Sequence, residues 1–120
     1  MTLRCLIVDD NASFLEEAAT FLRGEGLVIA GVASNAREAL DRARELRPDV
    51  VLVDILLGSE SGFDVARLLA EADGGAPRVI LISTHAEADF AELIEEAPVA
   101  GFVPKSELSG RAIRRLVETA

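Results

Sequence analysis

Residues 50–54 read Val50-Val51-Leu52-Val53-Asp54: four apolar residues, three of them β-branched, and then a carboxylate. A short apolar run without polar alternation is the pattern of a strand buried on both faces. Pro48 closes what comes before it, and a loop rich in Gly and Ser (Gly58-Ser59-Glu60-Ser61-Gly62) comes after. The decisive feature is the end of the run. Asp54 stands alone, with Val53 before it and Ile55-Leu56-Leu57 after it.

Working outward, the same kind of run recurs at Leu3 to Val8, Leu27 to Ala33, Val79 to Ile82 and Val99 to Val103. Longer amphipathic stretches separate the runs. Asn11 opens the first, with Phe14, Leu15, Ala18, Phe21 and Leu22 on one face and Gly24 and Gly26 as stops, which is helical spacing. Asn35 followed by Glu38 reads as a capping box for a helix that turns Ala36, Ala39, Leu40, Ala43 and Leu46 inward. A third helix carries Val65, Leu68 and Leu69. A weaker one carries Phe90, Leu93 and Ile94 ahead of Pro98. The last, near Ser109 to Glu118, buries Ile113, Leu116 and Val117. Apolar strands alternating with amphipathic helices give an α/β fold, a doubly wound five-stranded parallel sheet with helices on both faces. A closed barrel of eight units is excluded by length.

The chain has 120 residues and a mass of 12.8 kDa, the size of one domain, here residues 1–120. Lys and Arg number 12 against 21 Asp and Glu, a net charge of −9, which repels phosphate backbones and argues against nucleic-acid binding by this domain itself. One cysteine, Cys5, makes neither an intramolecular disulfide nor a thiolate cage, and reads as a small core residue. No apolar run approaches the roughly 18 residues of a membrane span. Met1-Thr2-Leu3-Arg4 leads into the first run without signal-peptide anatomy. The expected location is the cytoplasm, with no membrane contact.

In open α/β sheets, ligands bind beyond the carboxyl ends of the strands. Here the first strand ends in Asp9-Asp10, the third in Asp54, the fourth in Ser83-Thr84 and the fifth in Lys105. If the first and third strands are neighbours, three carboxylates converge, an arrangement that is unfavourable without a cation. Mg²⁺ suits such a set, because it takes one or two carboxylates, a backbone carbonyl and several waters. Asp54 can then be a ligand, a base or a nucleophile. Carboxylates do serve as phosphoryl acceptors, a chemistry that needs charge neutralisation more than acid-base groups. Mg²⁺, Lys105 and the Ser83 hydroxyl would each take one phosphoryl oxygen. No histidine lies at a strand end to act as the base of a hydrolase.

With these residues in place, the chain resembles the receiver domains of two-component response regulators. Asp9-Asp10, Asp54, Ser83 and Lys105 match that family's pattern in order and spacing. Arg47-Pro48-Asp49, Gly62 and Phe102 support the match. The resemblance implies a flavodoxin-like strand order of 2-1-3-4-5. It implies that Asp54 accepts a phosphoryl group from a sensor histidine kinase or a phosphotransfer protein. It further implies that Asp10 contacts Mg²⁺ directly, Asp9 mainly through water, and that the Leu56 carbonyl completes the protein ligands. Lys105 and Ser83 would bind the phosphoryl group, and Phe102 would be the switch aromatic. The output would be a rearranged surface of the fourth helix, fifth strand and fifth helix, acting on an output domain or downstream protein. The domain would be a signalling module rather than a metabolic enzyme.

The chain departs from the family at several positions. Gly58 stands where Pro is common, Ser106 rather than Pro follows Lys105, Thr84 is bulkier than the usual Ala or Gly, and Leu56 offers no group to orient a water. The last point implies slow autodephosphorylation. Two other functions fit parts of the pattern. A small Mg²⁺-dependent phosphatase with an aspartyl-phosphate intermediate would need a second acid where Leu56 sits. A receiver-shaped interaction domain acting unphosphorylated would have no need of the complete acidic set. Among the remaining residues, Phe14 stands either exposed for docking or on the buried face, and His85 reads as a loop histidine. Glu16-Glu17, Glu92 and Glu95-Glu96 read as solvated helix faces. Arg111, Arg114 and Arg115 are the candidate contact for a partner or homodimer.

Overall fold

The computed structural model describes residues 2–71 and 75–119. Five parallel strands form one sheet: β1 (Arg4–Val8), β2 (Val28–Ala33), β3 (Val50–Asp54), β4 (Arg78–Ser83) and β5 (Gly101–Pro104). Their spatial order is β2-β1-β3-β4-β5, the flavodoxin-like order. Because β1 and β3 pair directly, with Val8 opposite Val53, their carboxyl ends lie side by side. Five α-helices connect and follow the strands: α1 (Ala12–Gly24), α2 (Ala36–Leu46), α3 (Gly62–Ala70), α4 (Ala91–Glu96) and α5 (Gly110–Thr119).

The absence of alternation in the strands has a direct structural counterpart. Leu6, Val8, Val51, Val53, Val79 and Leu81 point to one side, against Ala39 of α2 and Val65, Ala66 and Leu69 of α3. Their neighbours Cys5, Ile7, Val50, Leu52, Ile80 and Ile82 point to the other, against Leu15, Ala18, Ala19 and Leu22 of α1 and Ile113 of α5. Each side thus has its own core, and the central strands are covered twice.

Five apolar residues expected inside lie outside: Phe21 is 52% exposed, Leu68 44% and Leu93 47% on the helices, and Val28 44% and Val32 37% on the edge strand β2. In α1 the buried stripe is Leu15, Ala18, Ala19 and Leu22, so Phe21 sits on its flank. Phe14, one heptad earlier on that flank, is half-buried. The weak fourth helix has a physical cause. Glu87–Phe90 forms a 3₁₀ turn and α4 runs only from Ala91 to Glu96, without a side-chain cap. Glu95 and Glu96 in its last turn oppose the helix dipole.

Two local devices place the strand ends. Asn35 caps α2 by accepting from the Glu38 amide, while the Glu38 carboxylate reaches back to the Ser34 amide and hydroxyl rather than to Asn35. Arg4 donates to the carbonyls of Leu46 and Arg47 at 2.7 and 2.8 Å, closing the far end of α2. The loop after β3 is more ordered than its composition implies. Leu56–Leu57 pairs antiparallel with Glu60–Ser61 around a turn in which Gly58 has φ +60°. Proline, locked near −65°, cannot take that conformation, which accounts for glycine here. Glu60 then accepts from the Ala36 amide at 3.0 Å, tying the hairpin to the start of α2.

Candidate functional site

The hairpin returns the chain so tightly that Gly62 donates to the Ile55 carbonyl at 2.8 Å. A Cβ at Gly62 would lie 2.2 Å from the backbone oxygen of Asp54. This close approach, which only glycine permits, holds the backbone on which Asp54 stands. Asp54 closes β3 and is 7% exposed. Its Oδ1 accepts from the Leu56 amide at 3.1 Å and its Oδ2 from Lys105 Nζ at 3.0 Å.

Asp9 and Asp10 follow β1. Asp9 is fully buried, and its backbone amide donates to the Ala33 carbonyl at 3.0 Å. Its Oδ1 accepts from the Asn11 amide at 2.8 Å. Its Oδ2 lies 2.5 Å from Lys105 Nζ as an ion pair, yet accepts no well-aligned hydrogen bond from any described residue. Asp10 is exposed, with its Oδ2 beside Gly58. Carboxylate oxygens of Asp9, Asp10 and Asp54 all lie within 4.8 Å of one another. Three carboxylates with a single ammonium leave a net negative pocket, and Asp9 Oδ2 leaves an under-used buried acceptor. A hard divalent cation fits both.

Electrostatics reinforce this reading. Burial, and after it the charge of Asp9, pushes the Asp54 carboxyl above the usual carboxylate range, although the Leu56 N–H and Lys105 pull it down. Burial works against the Lys105 ammonium too. The close contacts and charges of Asp9 and Asp54 outweigh it, so Lys105 lies above the ordinary lysine value. Lys105 therefore stays charged at neutral pH. Cys5, by contrast, is buried away from the site and pushed up to about 12, an inert thiol.

Ser83 ends β4 and is buried. Its Oγ accepts from the His85 amide at 3.0 Å and sits 3.5 Å from His85 Nδ1. Thr84 beside it is exposed. Phe102 pairs in register with Leu81 and is buried in the same core as Phe63. Leu56 is 49% exposed, with its amide on Asp54. The strands thus gather Asp9, Asp10 and Asp54, with Lys105 reaching Asp9 and Asp54, whereas Ser83 Oγ meets His85 of its own loop and Phe102 lies in the core. The sequence reading missed one participant. The Phe14 ring lies against Lys105 Nζ, 4.2 Å from ring centroid to nitrogen. Helical spacing could not reveal it, because the contact joins the start of α1 to the end of β5.

Comparison with known proteins agrees with this geometry. The chain is 41% identical over 120 residues to the DNA-binding response regulator MtrA of Mycolicibacterium paratuberculosis, covering 97% of this chain and 52% of that protein. It is 38% identical over 112 residues to a protein-glutamate methylesterase/protein-glutamine glutaminase of Anaeromyxobacter dehalogenans, covering 92% of this chain and 31% of the other. The chain therefore spans about half or less of the length of these curated relatives. Among solved structures, a two-component response regulator of the LuxR family from an Aurantimonas species superposes with a TM-score of 0.85 at 29% identity, covering 99% of this chain and 87% of that one. No helix among the described residues is long and apolar enough to cross a membrane. The model of the response regulator receiver domain matches residues 5–117, and the chain belongs to that family.

Proposed function

We propose that residues 1–120 act as a phosphorylation-driven switch in which Asp54 takes a phosphoryl group from a phosphohistidine of a sensor kinase or phosphotransfer protein. The observation that carries this reading is the placement of Asp54 Oδ2 3.0 Å from Lys105 Nζ, inside a set of three carboxylates within 4.8 Å. A carboxylate oxygen of Asp54 forms the new O–P bond as the P–N bond of the donor breaks, and the electron pair leaves with the imidazole nitrogen. Charge on the equatorial oxygens is the main obstacle. Lys105 answers part of it, because its ammonium stays charged and needs to move little to reach a phosphoryl oxygen.

Asp9, Asp10, Asp54 and the Leu56 carbonyl would hold Mg²⁺, which when bound neutralises further charge on the phosphoryl group. Ser83 would release the His85 amide and turn its hydroxyl toward the phosphoryl oxygens. Phe102 would then repack against the space Ser83 vacates, altering the surface of α4, β5 and α5. A shift of this kind needs only a few kcal/mol of difference between two packings. The reader of that surface would be an output domain, a downstream protein or a second copy of the chain. A relative named for DNA binding supports an output domain of that kind, outside this acidic receiver. The site would work in the cytoplasm, where kinases and reduced thiols are found, and the domain would catalyse only its own phosphorylation and dephosphorylation.

Intact mass after incubation with acetyl phosphate and Mg²⁺ tests the reading. One phosphoryl adduct is expected on the wild type, and none without Mg²⁺ or in Asp54→Ala. Failure with both acetyl phosphate and a histidine-phosphorylated donor would favour a domain that binds its partner unphosphorylated. Steady turnover of a small phosphate ester would instead favour a phosphatase.

A further inference from the structure

We propose that Phe14 is a positioning residue for Lys105, holding the ammonium over Asp54 as one side of a closed ring of contacts; the proposal rests on the reading of Asp54 as acceptor. The ring can be traced atom by atom. The Asn11 amide donates to Asp9 Oδ1 at 2.8 Å, and the Asn11 side chain accepts from the Phe14 amide at 3.1 Å. The Phe14 ring faces Lys105 Nζ at 4.2 Å from its centroid. Lys105 Nζ returns to Asp9 Oδ2 at 2.5 Å. The same asparagine that caps α1 thereby fixes both a carboxylate and the aromatic ring that flank the ammonium.

An ammonium has three donors and no acceptor. Two directions meet Asp9 and Asp54, and the ring's negative face covers a third side, at a distance well inside the roughly 6 Å over which cation and ring attract. The Lys105 side chain is consequently only 13% exposed. Phe14 is half-buried and packs in part against the core that α1 covers. Phe21 occupies the same flank of α1 one heptad later and is left 52% exposed, while the core stripe of the helix is Leu15, Ala18, Ala19 and Leu22. Phe14 differs from Phe21 in two ways: it packs in part on that core, and its ring also faces a charge that packing does not require. Without the ring, a flexible four-carbon stem could carry the ammonium out to water. The phosphoryl oxygens would then meet Lys105 only part of the time.

Three variants separate electrostatic holding from space filling: Phe14→Leu fills most of the volume without a π face, Phe14→Tyr keeps the face, and Phe14→Ala removes both. With acetyl phosphate as donor, Phe14→Leu is expected to lower the maximum phosphorylation rate about fivefold, with the half-saturating donor concentration little changed. Phe14→Tyr should recover the wild-type rate to within about twofold on the same grounds. A merely structural role would make Leu and Tyr equivalent. Independently of any phosphorylation, the Lys105 ε-methylene protons should resonate upfield in the wild type and in Phe14→Tyr, from the ring current, and return to ordinary positions in Phe14→Leu. Equal rates in the Leu and Tyr variants, or unshifted Lys105 protons in the folded wild type, would overturn the proposal. A wild type that takes no phosphoryl group overturns the acceptor reading instead, and the proton shifts still decide whether the ring holds the ammonium.

Discussion

Lys105 stands closer to Asp9 than to Asp54: its Nζ is 2.5 Å from Asp9 Oδ2 and 3.0 Å from Asp54 Oδ2. The ammonium therefore neutralises the same carboxylate that a divalent cation would use. One side chain serves as both an internal counter-ion and a competitor for the cation. Lys105→Met removes the competitor while keeping most of the stem. It should bind Mg²⁺ about tenfold more tightly, because losing one partner of a buried ion pair leaves an uncompensated carboxylate that the cation would neutralise. Isothermal calorimetry with Mg²⁺ checks this. Weaker binding in the variant would mean that Lys105 organises the carboxylates rather than competing for them.

Asp54 carries a cost that can be read as stability. Its carboxyl lies above the ordinary range because it is buried, with Asp9 nearby. A group whose folded pKa exceeds its unfolded value contributes stability that is complete below the unfolded pKa and lost as pH rises through the folded pKa. At neutral pH the ionised side chain therefore weighs against the fold. Asp54→Asn should raise Tm by about 2–4 °C at pH 7.5 without Mg²⁺. The gap between variant and wild type should narrow as the pH falls toward 4. Saturating Mg²⁺ should favour the wild type and close or reverse the gap.

Gly62 sets the backbone under Asp54, and its replacement is expected to be felt at once. A Cβ there would meet the Asp54 oxygen at 2.2 Å and the Ile55 Cα at 2.9 Å, both backbone atoms that cannot swing aside. Gly62→Ala should cost about 2–4 kcal/mol by denaturant unfolding, the scale of a core clash. Gly24→Ala is the control. Nothing lies within 4 Å of its Cβ position at the end of α1, so it should be neutral or stabilising by about 0.5 kcal/mol.

The parts of this molecule legible in its sequence are those that chain connectivity dictates. Asp9, Asp54, Ser83 and Lys105 each end an apolar run, and in a parallel sheet all strand ends face one edge. The core was readable for the same reason, since doubly covered strands show no alternation. What stayed hidden depends on contacts between distant segments or on very short elements. Phe14 and Phe21 share one flank of α1, and contacts from distant segments, the core beneath Phe14 and Lys105 arriving from β5, separate their surroundings. The hairpin at Leu56–Leu57 and Glu60–Ser61 has strands of two residues, too short to carry a period. Its contact with the start of α2 through Glu60 lies in no motif.

If Asp54 takes a phosphoryl group as proposed, Leu56 bears on how long the adduct lasts. It is 49% exposed, two residues beyond Asp54, and its amide is already committed to Asp54 Oδ1. An aspartyl phosphate is lost by attack of water in line with the O–P bond, and an oriented water reacts faster than a random one. Leucine offers such a water neither donor nor acceptor. Once formed, the phosphoryl adduct should persist for minutes or longer in Mg²⁺. Leu56→Asn supplies both a donor and an acceptor at the same exposed position, and should shorten the lifetime by about tenfold, a modest share of what positioning contributes to catalysis. The measurement is the decay of the phosphorylated mass after the donor is removed. A wild-type half-life of seconds would mean that water is oriented by another group. His85 would then be the first residue to replace, because its Nδ1 lies 3.5 Å from Ser83 Oγ.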